Sequence, residues 1–133
     1  MSTNNEETIE HGPMTGAAFK VIRERLGLPA DWLAEHFDVA VRTARRWENG
    51  TSPVPDGVRL GLEQLQAEHD VAVQQLEATL DDLPDPLLVT YRVDSHYAAC
   101  EPAAGGRPAS WHRAIVGDVE ARHRGATIVY QEP

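Results

Sequence analysis

The chain has little of what stabilises or anchors proteins outside the cell. It contains one cysteine, Cys100, which excludes an internal disulfide and fits a reducing compartment. No run approaches the roughly 18 apolar residues that a membrane-spanning helix needs. The opening residues, MSTNNEETIE, have neither the basic start nor the apolar core of a secretion signal. The sequence therefore predicts a cytoplasmic protein without a membrane partner.

Basic residues are also scarce. The 133 residues carry 12 Lys and Arg against 21 Asp and Glu, a net charge of −9, whereas nucleic-acid-binding proteins usually present a basic face. The acidity is unevenly placed, because residues 1–14 contribute −3, residues 61–86 contribute −7 and residues 87–133 contribute 0. Residues 15–60 carry a net charge of +1, so this segment is the expected contact surface if the partner is nucleic acid.

Motifs for metal binding and catalysis are missing. No CxxC is present, and four residues that could suggest zinc match no compact ligand spacing: His96, Cys100, His112 and His123. The glycine pair 105–106 lacks the Lys-Ser/Thr of a phosphate loop, and neither GxSxG nor HExxH occurs. We therefore expect no metal, no cofactor and no enzymatic activity.

The first helix is predicted after an acidic leader, residues 1–13, which has no apolar periodicity and is expected to be disordered. Thr15 is the expected cap and Gly27 the expected stop. Between them, apolar residues recur at three- and four-residue spacing, at Ala18, Phe19, Ile22 and Leu26.

Two further helices are predicted before residue 50. A short one follows Pro29, and a tight turn comes at residues 38–39. The next runs over residues 41–48, with Ala44 and Trp47 inward, and its C-terminal Asn-Gly tolerates a left-handed backbone.

A long acidic helix is predicted from Asp56 to about residue 80. Its stripe has spacings close to those of a heptad seam, at Val58, Leu62, Leu65, His69, Ala72, Leu76 and Leu80. A helix of this length with one narrow stripe needs a partner, either from the same chain or from another copy.

The sequence of the C-terminal part predicts a strand, a helix and a second strand. Residues 87–93 and 126–130 are rich in branched and aromatic side chains. Residues 101–108 form a Gly/Pro/Ala-rich loop, and a helix is expected over residues 111–123 with Ser110 as its cap. Further extended structure is predicted near Tyr97.

The predicted elements follow the order of a helix-turn-helix DNA-binding motif, which is a helix, a short helix, a tight turn and a further helix. Such a motif needs small residues where its two helices cross, and Ala34 and Ala44 are placed for this. The second helix must present polar, preferably basic, side chains to the major groove, and three arginines lie within residues 42–46.

The stretch from Leu28 to Gly50, ending in RWENG, resembles the Cro/Xre-type helix-turn-helix family. The resemblance implies base contacts from Val41, Arg42 and Arg46. It implies contacts with the DNA backbone from four further positions: Thr43, Arg45, Asn49 and Thr51.

This sequence departs from the family pattern at three places. Pro29 and Ala30 stand where the family often has a Ser or Thr cap followed by Gln. Asp38 replaces the turn glycine but can adopt the same left-handed conformation. Ala40 stands where Ser or Thr usually caps the recognition helix, which removes a polar contact.

A further resemblance covers WENGTSPVPDGV, the long helix and the strand–helix–strand. This layout is similar to the YdiL-like group, which includes the anti-CRISPR-associated autorepressors of phages. The resemblance implies a dimeric repressor that acts on an inverted repeat in its own operon. The expected partners are a palindromic operator in double-stranded DNA and a second copy of the chain.

The expected fold is mostly α with a small α+β part. It comprises a helix-turn-helix bundle (14–56), a long connecting helix (57–82) and a C-terminal α/β dimerisation region (83–133). Six residues are predicted to dimerise: Leu65, Leu76, Tyr91, Trp111, Ile128 and Tyr130. Two other functions stay open, an antitoxin- or antirepressor-like protein-interaction module and a sensor with a small-molecule pocket in the C-terminal half.

Overall fold

The computed structural model describes residues 14–132, most of which are helical. The elements are α1 (Gly16–Arg25), α2 (Ala30–His36), α3 (Val41–Asn49), α4 (Asp56–Ala78), β1 (Leu87–Thr90), α5 (Asp94–Cys100), a 3-10 turn (Pro102–Ala104), α6 (Ala109–Arg122) and β2 (Thr127–Tyr130). The two strands form a parallel sheet. A mostly helical fold with a small sheet is thus confirmed, while the predicted disordered leader lies outside the described residues.

The chain divides into two compact units. In the described part, the first unit comprises residues 14–24 and 29–64, and the second comprises residues 25–28 and 65–132. The division therefore falls inside the long helix α4. None of the helices in the described part is long and apolar enough to cross a membrane.

The first unit is built on apolar positions that the sequence periodicity predicts. The Thr15 hydroxyl accepts a hydrogen bond from the backbone N–H of Ala18 at 3.0 Å, which confirms the predicted cap of α1. Helices α2 and α3 pack against each other. The fully or almost fully buried side chains of the first unit are Phe19, Ala30, Leu33, Ala34, Ala44, Trp47, Val54, Val58 and Leu62.

The turn between α2 and α3 depends on a left-handed residue. Asp38 has φ 57°, a conformation that an Asp side chain tolerates better than most. The turn closes because the backbone N–H of Val39 donates to the carbonyl of Ala34 at 2.8 Å. The predicted left-handed conformation of Asp38 is confirmed.

The buried stripe of α4 differs in part from the predicted one. Leu62, Leu65 and His69 are buried as expected, but Val73 is 2% exposed while Ala72 and Leu76 are half-buried. A heptad seam assumes 3.5 residues per turn, whereas a helix packed within a compact unit follows 3.6, so its buried face drifts along the sequence. The predicted stripe is therefore confirmed only in part in this half of the helix, where Val73 replaces Ala72 as the fully buried position.

The second unit packs α6 on β1. The strand alternates, with Leu88 and Thr90 buried and Leu87 and Val89 exposed. The other buried side chains of this unit include Tyr91, Tyr97, Ala109, Trp111, Ile115, Val116 and Val119.

Two predictions of extended structure in this unit were wrong. The first strand ends at Thr90 instead of residue 93, because the guanidinium of Arg113 donates to the carbonyls of Tyr91 and Arg92 at 2.7 and 3.0 Å. Extended structure near Tyr97 was also predicted, but this residue lies in α5. The ring of Tyr97 packs on that of Tyr91 at 5.0 Å between centroids, and this burial favours the helix.

Ser110 does not cap α6, contrary to the prediction. The helix begins at Ala109, two residues before the predicted start, and the carboxylate of Asp94 accepts a hydrogen bond from the backbone N–H of Ala109 at 2.8 Å. The Ser110 hydroxyl instead donates to the carbonyl of Gly27 at 2.5 Å. A carboxylate distant in sequence thus replaces the local hydroxyl at this helix start.

His69 makes the stability of the second unit dependent on pH. Its ring is fully buried, neither nitrogen has a hydrogen-bond partner within the described residues, and its Nδ1 lies 3.8 Å from Asp118 Oδ2. Burial lowers the pKa of His69, outweighing the opposing charge of Asp118, while Arg25 lowers and Asp70 raises it. Below pH 6.5 the unfolded chain therefore binds a proton that the folded chain resists.

We expect the unfolding free energy to fall as the pH drops from 7 to 5, by at most about 1.4 kcal/mol per pH unit from this residue. The same burial lowers the pKa of His112 and adds a slope of the same sign. Urea unfolding at several pH values measures the slope. His69→Leu should flatten it, while His36→Gln, which removes an exposed histidine, should not. An unchanged slope in His69→Leu would contradict this assignment.

Candidate nucleic-acid interface

Helix α3 carries the three clustered arginines and is closed firmly at its C-terminus. Gly50 has φ 78° and follows the last helical residue. The carbonyl of Arg46 accepts the backbone N–H groups of Thr51 and Ser52 at 3.0 and 3.2 Å, and the Thr51 hydroxyl at 3.2 Å. These bonds satisfy a carbonyl that would otherwise be unpaired at the helix end.

The polar side chains of α3 lie opposite its buried side chains. With about 100° between successive residues, Arg42, Arg45, Arg46 and Asn49 fall within an arc of roughly 100°. Ala44 and Trp47 point to the other side and are 0% and 3% exposed. Helix periodicity thus separates the anchoring side chains from the free ones.

Trp47 attaches α3 to α1. Its ring meets that of Phe19 edge to face, with centroids 5.7 Å apart, an arrangement favoured by the ring quadrupoles. A Cβ on Gly16 would clash with the carbonyl oxygens of Trp47 and Glu48. The predicted core role of Trp47 is confirmed, and Gly16 allows the close approach of the two helices.

An ion pair that the sequence analysis missed also joins these helices. Arg23 Nε lies 2.6 Å from Glu48 Oε2, and Arg23 Nη2 lies 3.1 Å from Glu48 Oε1. The two side chains are only 13% and 7% exposed. This paired geometry neutralises the acid of α3 and fixes the orientation of the helix. The available signal was a single acid within a basic helix, which does not identify its partner.

The arginine face of α3 comprises Arg42, Arg45, Arg46 and Asn49, and its arginines have no acidic partners among the described residues. Within residues 14–132, Arg42, Arg45 and Arg46 are exposed and take part in none of the ion pairs or side-chain hydrogen bonds. Three positive charges therefore lie along about one turn of helix, with their donors directed to solvent. Such a surface can bind phosphate oxygens and the acceptor edges of bases.

The other residues that the resemblance implies lie around this face. Val41 is 37% exposed and Asn49 is exposed, so both are accessible to a ligand. Thr43 is half-buried at the margin of the arc. Thr51 is exposed, but its hydroxyl is already used in the cap of α3. The structure thus brings all seven residues to α3 and its C-terminus.

The six predicted dimerisation residues fall into separate groups. Leu65, Tyr91 and Trp111 are between 2% and 6% exposed in the folded chain, and Leu76 is half-buried. Ile128 and Tyr130 are 45% and 42% exposed. Only these last two offer substantial area to a partner.

The second unit also contains an open groove of about 590 Å³ between α4, α5 and α6. It is lined by Tyr97, Trp111 and His112, and the ion pair of Glu68 with Arg107 lies at its margin. Nearby, burial and a hydrogen bond to Glu101 raise the pKa of Tyr91 to about 12. Its donor to Glu101 therefore stays protonated at neutral pH.

The described residues contain no cluster of three or more His, Cys, Asp or Glu side chains that could hold a metal ion. In the first unit, the arginine face of α3 presents three exposed cations to a charged ligand. The chain matches no protein-family model and no curated protein.

Proposed function

We propose that the chain is a sequence-specific DNA-binding transcriptional regulator, a dimeric repressor of its own operon. In this proposal α2, the turn at Asp38 and α3 act as a helix-turn-helix, with α3 in the major groove. The observation that carries it is the arginine face of α3, which is exposed and has no acidic partner among residues 14–132, while the opposite side of the helix is buried in the core.

The roles of the arginines follow from their places on α3. Arg42 and Arg46 are four residues apart and share a face, so they can reach successive base edges. Arginine recognises guanine by donating to O6 and N7 together, the commonest specific contact in the major groove. Arg45 lies at one margin of the arc, a position suited to phosphate along the groove wall. Asn49 extends the same surface at the helix end.

Two copies of this recognition surface are required for tight binding. One short helix makes too few base contacts, whereas two helices about 34 Å apart can read successive major grooves on one side of the duplex. An inverted repeat then presents the same half-site to each copy. The acidic segment 61–86 is expected to face away from DNA, because its charge of −7 would be repelled by phosphates.

Footprinting on the DNA upstream of the gene tests the proposal. We expect protection of an inverted repeat by the wild-type chain, with the two half-sites about one helical turn apart. A promoter fragment from an unrelated gene is the negative control. Absence of any protected repeat, together with a stable complex with a protein encoded next to the gene, would favour the protein-interaction alternative.

The salt dependence of binding should report the phosphate contacts. Each contact contributes about −0.9 to the slope of log K against log salt concentration. Arg45→Ala should make the slope for the dimer shallower by about two units, about 0.9 for each copy, and weaken operator and random DNA alike. Fluorescence anisotropy at several salt concentrations measures both effects. A wild-type slope near zero would contradict binding through phosphates.

A further inference from the structure

Strand β2 exposes an apolar edge. The described residues form a sheet of only two strands, so β2 pairs with β1 on one side alone. All four residues of β2 are exposed, including Ile128 at 45%, Val129 at 38% and Tyr130 at 42%. Exposed apolar residues contiguous along one strand are typical of an interaction surface.

The backbone of this edge is unpaired in a defined pattern. The N–H groups of Thr127 and Gln131 donate to the carbonyls of Pro86 and Thr90, at 3.0 and 2.7 Å. Because successive residues of a strand direct their N–H and C=O groups to alternate sides, those of Ile128 and Tyr130 face the open edge. The edge therefore offers two donors and two acceptors in regular order.

The edge also lacks the usual protection against pairing. Monomeric proteins place charged residues or proline on exposed edge strands, but residues 126–131 (ATIVYQ) contain neither. The charges lie just outside, with Arg124 before the strand and Glu132 after it. Both are exposed, and neither forms an ion pair within the described residues.

We propose that a second copy of this chain covers the edge, with the two β2 strands antiparallel and a two-fold axis at Val129. Ile128 of each copy then exchanges both backbone hydrogen bonds with Tyr130 of the other. The antiparallel direction brings Arg124 of one copy towards Glu132 of the other at both ends. A parallel arrangement would instead place like charges together.

The same arrangement covers a groove beside the strand. About 350 Å³ of space lies between α6 and β2, lined by Val116, Gly117, Ile128, Val129 and Tyr130 among others. A Cβ on Gly117 would have no neighbour within 4 Å. In the dimer, the side chains of Ile128 and Tyr130 from the second copy lie along the continuation of this groove. The result is a four-stranded sheet in the order β1-β2-β2-β1.

A cysteine cross-link tests the register. In a background of Cys100→Ser, which removes the exposed native thiol, Val129→Cys places two thiols opposite each other at the two-fold axis. The Cα atoms of such a non-hydrogen-bonded pair are about 4.5 Å apart, within the range for a disulfide. We expect a covalent dimer after treatment with oxidised glutathione.

Thr127→Cys is the matched control, because it lies on the same strand and face. Two copies of this residue would be about 14 Å apart in the proposed register, too far for a disulfide. Cross-linking of Thr127→Cys but not Val129→Cys, or of neither, would overturn the inference. So would a monomeric wild-type chain at micromolar concentration in analytical ultracentrifugation.

Proline substitution tests the hydrogen bonds. Tyr130→Pro removes an N–H that faces the open edge, so the folded chain should retain its circular dichroism spectrum. Its dimer dissociation constant should rise by about tenfold or more, since the dimer loses two hydrogen bonds. Tyr130→Phe keeps the N–H and is expected to remain dimeric. Equal dissociation constants for wild type and Tyr130→Pro would overturn the inference.

This inference rests on the proposed function only in that an inverted repeat requires a two-fold dimer. The two can fail separately. Cross-linking at Val129 without DNA binding would support the proposed dimer and contradict the proposed function. Protection of an inverted repeat by a chain that does not cross-link at Val129 would support the proposed function and contradict pairing through β2.

Discussion

Arg46→Ala is expected to weaken operator binding by about 30-fold or more, because each of the two copies loses one bidentate contact to guanine worth about 1–3 kcal/mol. Arg42→Ala should have an effect of similar size. The variant should lose discrimination at one base pair of each half-site. It is therefore expected to tolerate a base-pair substitution there that the wild type rejects. Binding to random DNA should weaken less. Gel shift or anisotropy with a set of singly substituted operators measures this.

The side chain of Arg46 can be removed without disturbing the helix. Its carbonyl, which holds the cap of α3, is retained in the variant, and alanine has a higher helix propensity than arginine. Arg122→Ala is the matched control, because it removes an exposed arginine of α6, outside both α3 and the proposed dimer interface. Equal losses in both variants would indicate a general charge effect and contradict base recognition by Arg46.

Arg23→Ala is expected to lower the free energy of unfolding by about 3–5 kcal/mol. The substitution leaves the Glu48 carboxylate nearly buried, with 7% of its side chain exposed and its closest cation gone. Desolvation of an unpaired charge is more costly than the pair is stabilising. Urea unfolding followed by circular dichroism measures the change through the shift in midpoint.

Arg59→Ala provides the comparison for this prediction. Arg59 forms an ion pair with Glu63 at 3.0 Å, but the side chains are 31% and 51% exposed. Breaking such a pair should cost less than about 1 kcal/mol because solvent screens it. If Arg23→Ala were no more destabilising than Arg59→Ala, the pair with Glu48 would not hold α3 in place.

Local chemistry made several features of the first unit predictable. Thr15 caps α1, Asp38 takes a left-handed turn and Gly50 ends α3, because each depends on a few neighbouring atoms. The burial of Trp47 follows from the periodicity of α3. The pair of Arg23 and Glu48 could not be found in this way, because 25 residues separate its members and only packing brings them together.

The second unit was less predictable, because its elements depend on contacts distant in sequence. Tyr97 lies in a helix instead of extended structure because its ring is buried against Tyr91. The start of α6 depends on Asp94 and not on the adjacent Ser110. For dimerisation, the apolar pattern alone could not separate residues that are buried in the folded chain, such as Trp111, from exposed ones, such as Ile128.

The ratio of two dissociation constants tests the central claim most directly. Wild-type chain is titrated into the inverted repeat from its own upstream region and into a shuffled duplex of equal composition, at one stated salt concentration. A sequence-specific regulator should bind the repeat at least about 1,000-fold more tightly. Equal affinity for the two duplexes would contradict the proposal that the arginine face of α3 reads DNA sequence.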